Sequence, residues 1–145
     1  MRILLLNGPN LGRLGLRQPE IYGSTTLAQV VDAARERAAA RGSSLDAFQS
    51  NHEGALIDRL HARDYDVAIV NAGGLTHTSI ALRDALLGVQ RPFIEVHLSD
   101  PSKRESFRQV NYLHDIALES IVGQGKRGYL LALDAIATRF GGRDG

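Results

Sequence analysis

The sequence predicts an α/β fold, in which helices cover both faces of a five-stranded, doubly wound parallel sheet with the flavodoxin-like strand order 2-1-3-4-5. Short apolar runs alternate along the chain with longer segments of helical periodicity, and this alternation favours consecutive βα units. The first run, 2–6, is apolar at nearly every position, as parallel strands buried on both faces are. We find no internal repeat or linker, so we expect a single domain over 1–145, with 141–145 as a flexible tail.

The remaining elements follow from the spacing of apolar residues and from turn residues. Runs rich in apolar and β-branched residues predict further strands at 45–49, 67–70, 92–97 and about 118–122. Apolar residues three or four positions apart predict helices at 26–41, about 53–63, 79–87, about 103–110 and 127–140. Ser24, Thr25 or Thr26 could cap the first helix, and Gly42 lies just past its end.

The composition narrows the classes of protein. A net charge of +1 gives no general attraction to nucleic acid or membrane. No apolar run reaches the ~18 residues that span a bilayer, and the apolar start at 1–6 is too short for a signal-peptide core. The chain has no cysteine, which excludes disulfides and thiolate metal sites. We therefore expect a cytoplasmic protein that binds neither membrane nor nucleic acid.

Polar residues follow three of the predicted strands, in the segments 7–23, 71–79 and 95–100. In open parallel sheets, ligands bind beyond the carboxyl ends of the strands, near the switch point between strands 1 and 3. The three segments combine asparagine, histidine and glutamate, which purely structural turns rarely need together. We therefore expect a small-molecule site at this edge of the sheet.

These segments match no common cofactor motif. The glycines after strand 1 fit neither G-x-G-x-x-G nor G-x-x-x-x-G-K-[ST], so a dinucleotide or P-loop site is disfavoured. Asn71 stands where a phosphoreceiver module would need an aspartate. His77 and His97 could be neighbours, but zinc would require a third clear ligand. We expect neither a metal nor a cofactor.

Glu95 and His97 are candidates for a general acid. Residues two apart on a strand point to the same side, and a carboxylate beside an imidazole fixes its tautomer and stabilises its cation. The alternative is a structural salt bridge at the end of the strand.

Tyr22 and Arg17 lie in a long polar loop that contains possible glycine hinges, as a lid would. Ionising a tyrosine with a pKa of ~10 at pH 7 costs roughly 4 kcal/mol. A guanidinium within ~4 Å supplies about 4 kcal/mol at an effective dielectric constant of ~20. Arg17 is near enough in sequence to do this, although an exposed loop with ordinary side chains explains the same residues.

Four segments carry a further signal: 7–15 (NGPNLGRLG), 48–54 (FQSNHEG), 71–79 (NAGGLTHTS) and 95–99 (EVHLS). Together with Arg17, Tyr22-Gly23, 104–108 and 128–133, they resemble in order, over nearly the full length, the motifs of type II 3-dehydroquinate dehydratases. The resemblance implies the flavodoxin-like fold and an anti elimination of water from 3-dehydroquinate to 3-dehydroshikimate through an enolate. This is a shikimate-pathway step toward chorismate and the aromatic amino acids, and quinate breakdown uses the same step.

The resemblance also implies catalytic roles. Tyr22, ionised with help from Arg17, would remove the C2 proton, and Asn10 would hold a water that stabilises the enolate oxygen. His97, oriented by Glu95, would protonate the departing C1 hydroxyl.

Further residues are implied in substrate binding. Asn71 and the Leu98-Ser99 segment would grip the substrate carboxylate. His77 and Arg108 would read ring hydroxyls, while Arg104 would help to close the lid.

Asp84 is implied as well, but in another subunit's site. It lies seven residues beyond His77, about 10 Å along a helix at ~1.5 Å per residue, which places it too far from its own site. In the family, the equivalent acid acts across a subunit boundary, within trimers that assemble into a homododecamer. Assembly would then be part of the active site.

Two segments, 100–103 and 111–115, depart from the commoner family pattern. None of the implied catalytic roles falls on them, so we expect them to affect subunit contacts more than chemistry. A Schiff-base route is disfavoured, because Lys103 and Lys126, the two lysines of the chain, are expected in exposed polar surroundings. The remaining alternative is a non-catalytic flavodoxin-like module that binds a small anion or a partner protein.

Overall fold

The computed structural model describes residues 1–16 and 19–141, without the side chains of Ile21 and Tyr22. Five strands form one parallel sheet in the order β2-β1-β3-β4-β5, which confirms the predicted order. The strands are β1 (Arg2–Asn7), β2 (Ser44–Gln49), β3 (Val67–Asn71), β4 (Phe93–His97) and β5 (Glu119–Val122).

The described α-helices are α1 (Pro19–Tyr22), α2 (Leu27–Ala40), α3 (Glu53–His61), α4 (Ile80–Gly88) and α5 (Arg127–Phe140). Of the three candidate caps for α2, Thr26 is the one observed: its hydroxyl accepts a hydrogen bond from the backbone N–H of Gln29. The Gln29 side chain accepts one from the Thr26 N–H, which completes a capping box. Gly42 follows the helix with φ +76°, a left-handed conformation that glycine adopts without strain.

The prediction of a helix at about 103–110 is wrong. Two short 3₁₀ turns, Pro101–Lys103 and Ser106–Arg108, occupy that segment. Phe107 is 66% exposed and Val110 is exposed as well, so this segment has no buried apolar face. Because a short helix depends on such packing for its stability, the helical spacing alone does not produce one.

The core consists of two apolar layers, one on each face of the sheet. Ile3 and Leu5 of β1 pack with residues of α2 and α5, whereas Leu4 and Leu6 pack with residues of α3 and α4. Successive residues of a strand point to opposite faces, so a single strand supplies both layers. All residues of β3 and β4 are buried, and the polar residues that end these strands are carried to one edge of the sheet.

Of the predicted tail, 142–145 lie outside the described residues, and its flexibility stays a prediction. Within the described part of the chain, no helix is both long enough and apolar enough to cross a membrane.

Candidate active site

The carboxyl ends of β1, β3 and β4 are neighbours in the sheet. Asn7 pairs in register with Asn71 between β1 and β3, and Val70 pairs with Glu95 between β3 and β4. The polar segments singled out from the sequence therefore meet at one edge. They divide between the two faces of the sheet, because Asn71 contacts α5, whereas Glu95 shares its face with Phe93, which packs with α3 and α4.

Glu95 and His97 are in direct contact on β4. Their side chains are 1% and 7% exposed, and His97 Nε2 lies 2.6 Å from Glu95 Oε2. A carboxylate can only accept, so this contact assigns a hydrogen to Nε2. Nδ1 of His97 has no hydrogen-bond partner among the residues that the structure describes, and it is the ring nitrogen that remains available for a further contact.

Two further donors hold the Glu95 carboxylate. Asn111 Nδ2 donates to Oε2 over 2.8 Å, and Ser120 Oγ donates to Oε1 over 2.6 Å. Burial by itself would raise the pKa of Glu95, but the hydrogen bonds from His97, Ser120 and Asn111 hold that pKa below its ordinary value. Glu95 is thus an ionised carboxylate fixed from three sides.

Sequence reasoning missed both of these donors. Asn111 lies in a segment expected to affect subunit contacts more than chemistry, yet it bonds the candidate acid's partner directly. Its side-chain oxygen also accepts from the backbone N–H groups of Leu113 and His114, which fixes the loop before β5. Ser120 is paired in register with Glu95, so a polar residue opposite a glutamate on the neighbouring strand is the signal that could have revealed it.

A second polar cluster lies on the other face of the sheet. Asn71 Nδ2 donates to the Tyr129 hydroxyl over 2.9 Å, and that hydroxyl donates to Asn7 Oδ1 over 2.6 Å. Burial raises the pKa of Tyr129, so the phenol is a neutral donor. Asn71 Oδ1 accepts from the Gly73 N–H. One Nδ2 hydrogen of Asn71 remains beyond these bonds.

The loop after β1 packs tightly against the loop after β3. A Cβ on Gly8 would lie 2.5 Å from the carbonyl oxygen of Ala72, so this close approach requires glycine. Asn10 adopts a left-handed conformation with φ 71°, and its backbone N–H donates to Asn51 Oδ1 over 2.9 Å. Gln49 Nε2 donates to the Gly8 carbonyl over 3.1 Å. Residues of segment 48–54 thus hold segment 7–15 in place.

The connection from β4 to β5 lies beside the 3₁₀ turn Gly73–His77. His77 Nδ1 lies 2.6 Å from the Val110 carbonyl oxygen, which assigns the hydrogen to Nδ1 and leaves Nε2 for other partners. Arg108 Nε donates to Glu105 Oε2 over 2.6 Å, and Arg104 Nε lies 3.9 Å from the same oxygen. Both arginines are therefore gathered around one exposed carboxylate.

The predicted site residues Asp84, Leu98 and Ser99 are all at least partly exposed to solvent. Asp84 is exposed on α4, on the same helix face as Ile80 and Leu87, which are 57% and 50% exposed. Ser99 is exposed directly after β4, whereas Leu98 is half-buried, and its carbonyl accepts from the Gly125 N–H over 2.9 Å.

The structure does not describe the side chains of two predicted catalytic residues. Arg17 lies outside the described residues, as does the side chain of Tyr22, whose backbone ends α1. The described residues contain no group of three His, Cys, Asp or Glu side chains that could hold a metal ion.

Comparison with known proteins decides the family. The profile of the family described as Dehydroquinase class II matches residues 1–137. The chain belongs to this family. The catabolic 3-dehydroquinase of Emericella nidulans is 54% identical over 140 residues, which cover 95% of this chain and 92% of the relative. The 3-dehydroquinate dehydratase of Thioalkalivibrio sulfidiphilus is 57% identical over 137 residues, which cover 92% and 93%.

A solved structure of a family member agrees with the fold. The type II dehydroquinase of Butyrivibrio crossotus superposes with a TM-score of 0.89 at 39% identity, over 94% of this chain and 97% of that one. Family and fold predicted from the sequence are both confirmed.

Proposed function

We propose that the chain is a type II 3-dehydroquinate dehydratase, a hydro-lyase that eliminates water from 3-dehydroquinate to give 3-dehydroshikimate. Membership of the class II dehydroquinase family supports this activity. The observation that carries the proposal is the buried Glu95–His97 pair at the carboxyl edge of the sheet. Relatives at 54% and 57% identity are named as enzymes of this reaction, which favours catalysis over a non-catalytic anion-binding module.

In the proposed reaction, a base removes a C2 proton and the electron pair forms an enolate with the C3 carbonyl. The enolate then expels the C1 hydroxyl, which leaves as water, and a C1–C2 double bond forms. His97 is the acid for this second step. Its Nε2–H is bound to Glu95, so the transferred proton comes from Nδ1 of the imidazolium, which the ionised carboxylate stabilises until transfer.

The proposed base is Tyr22, with Arg17 beside it to stabilise the phenolate. The proposal for these two rests on the family's motifs and on the energies of ionisation and charge pairing, each about 4 kcal/mol. Asn10 would hold a water on the enolate oxygen, and its fixed loop supports this, because the Asn10 N–H is anchored by Asn51. No metal or cofactor takes part in the proposed steps.

Substrate binding is proposed for residues around the same edge. Asn71 would use its second amide hydrogen on the substrate carboxylate, together with Leu98-Ser99. His77 would use Nε2 on a ring hydroxyl, since Nδ1 is engaged with a backbone carbonyl. Arg108 would exchange its bond to Glu105 for a ring hydroxyl, and Arg104, beside the same carboxylate, would help to close the lid.

We further propose that Asp84 completes the site of a second copy, within trimers that build a homododecamer in the cytoplasm. The exposed face of α4 supports this, because Ile80 and Leu87 flank Asp84 there. A second copy covering these apolar side chains would carry Asp84 with them into the interface.

The test is the ultraviolet absorbance of the conjugated product after addition of 3-dehydroquinate to the assembled protein. We expect turnover by the wild type, and a loss of about 100-fold or more in kcat for His97→Ala and Tyr22→Phe with the circular dichroism unchanged. His61→Ala, on the exposed end of α3, is the matched control and should retain full activity. Wild-type protein without product formation would defeat the proposal.

Borohydride tests the Schiff-base alternative. Reduction in the presence of substrate should leave the enzyme active, because no lysine has a part in the proposed steps. Inactivation with a substrate adduct on Lys103 or Lys126 would show that the reaction proceeds by the other route.

A further inference from the structure

The Glu95 carboxylate connects His97 to a second histidine at the surface. Glu95 Oε1 accepts the hydrogen bond of Ser120 Oγ at 2.6 Å. The same Ser120 oxygen lies 3.0 Å from Nδ1 of His114, whose side chain is 70% exposed. Ser120 and His114 have no part in the proposed steps, yet both lie on a continuous chain of hydrogen bonds that begins at His97.

The hydrogens of this chain can be assigned. Serine has one hydroxyl hydrogen, and Glu95, an ionised acceptor, takes it. Ser120 Oγ must therefore accept from His114, which assigns a hydrogen to His114 Nδ1. At the other end, His97 Nε2 donates to Glu95 Oε2. Donation therefore runs from His114 to Ser120 to Glu95 on one side of the carboxylate, and from His97 to Glu95 on the other.

We propose that Ser120 and His114 are positioning residues for His97 and act through Glu95. This inference rests on the proposed function, in which His97 is the general acid. Ser120 holds the Oε1 side of the carboxylate, so that Oε2 stays aligned with the imidazole. His114 in turn holds the Ser120 hydroxyl in the orientation that donates to Glu95, because it occupies the serine's acceptor side.

The hydrogen bonds to the two oxygens of Glu95 also compete for its negative charge. Each hydrogen bond to Glu95 stabilises its negative charge and leaves less of it for the imidazolium of His97. Two ionisable groups interact with His114 among the residues that the structure describes: Glu95, whose Oε1 lies 3.8 Å from Nδ1, and Asp115. Asp115 is already paired with Arg83. Glu95 is therefore the group that transmits a change at His114 or Ser120 to His97.

The first test follows the His97 ring signals by ¹⁵N NMR of the whole protein without substrate. In Ser120→Ala, we expect the titration midpoint of His97 to rise by about half a pH unit, which is a fraction of the effect of losing one hydrogen bond to a charged group, because the lost bond is to Glu95 and only part of its effect reaches the imidazole. His114→Ala should shift it in the same direction by less. His114→Gln keeps an N–H donor for Ser120 and should restore the wild-type midpoint.

The second test is the pH dependence of turnover. The alkaline limb of the kcat profile should move to higher pH in Ser120→Ala, with kcat about three- to tenfold lower at neutral pH and KM within about twofold. Ser120→Thr keeps the hydroxyl and should behave as wild type. Ser44→Ala and His61→Gln replace exposed residues of the same types outside the chain of hydrogen bonds and should change neither readout.

A purely structural role makes a different prediction. It lowers the melting temperature of Ser120→Ala but leaves the His97 midpoint and the alkaline limb in place, and this result would overturn the inference. If Ser120→Ala does not fold, His114→Ala with its Gln rescue decides alone, because the side chain is at the surface. Since the NMR measurement needs no turnover, an inactive wild type would defeat only the proposed function.

Discussion

Replacing Glu95 with glutamine should slow the elimination strongly and leave the fold in place. Glutamine has the same shape but no charge. In the wild type, the carboxylate lies 2.6 Å from His97 Nε2 and is fully buried. In the proposed mechanism, removing the charge therefore removes the stabilisation of the imidazolium that donates the proton.

The size of the effect follows from the geometry. Unit charges ~4 Å apart attract by about 4 kcal/mol at an effective dielectric constant of ~20, and the neutral hydrogen bond that remains returns about 1 kcal/mol. A net loss of about 2–3 kcal/mol corresponds to a kcat roughly 30- to 150-fold lower. Glutamine also offers one oxygen to the three donors His97, Asn111 and Ser120, which should cost about 1–3 kcal/mol of stability.

The assay measures initial rates from the product's ultraviolet absorbance, with thermal denaturation as a measure of folding. Glu36→Gln, on an exposed position of α2, is the matched control and should retain wild-type values. A folded Glu95→Gln enzyme whose kcat stays within about threefold of wild type would refute the role assigned to the charge.

Two further predictions concern stability. Tyr129→Phe removes the hydroxyl that joins two buried asparagines, so the free energy of unfolding should fall by about 1–3 kcal/mol, measured by urea denaturation; an unchanged midpoint would contradict the burial argument. The pKa of Glu95 lies below its ordinary value of 4.5, so its charge stabilises the fold above that pH, and this contribution is lost as the pH falls through the folded pKa. Urea midpoints at pH 7 and pH 4 should therefore differ less in Glu95→Gln than in wild type, and equal differences would contradict this prediction.

The periodicities of the sequence were enough to predict the sheet and most helices. Strands buried on both faces are nearly continuous apolar runs, whereas helices repeat with period 3.6, and both patterns can be read from neighbouring residues. The same reasoning placed Glu95 and His97 on one side of β4. It failed at 103–110, because whether helical spacing becomes a helix depends on an apolar face being buried, and Phe107 remains exposed there.

By itself, the sequence determined the strand order and the family, and it identified the edge of the sheet where the candidate site lies. Only the tertiary structure decided which side chains hold Glu95, the partner of the proposed acid. Asn111 and Ser120 lie 16 and 25 positions from Glu95, and Tyr129 lies 58 positions from Asn71. Such pairs depend on the register of β5 on β4 and on how α5 packs against the sheet. No local pattern encodes a contact that forms only when distant segments pack together.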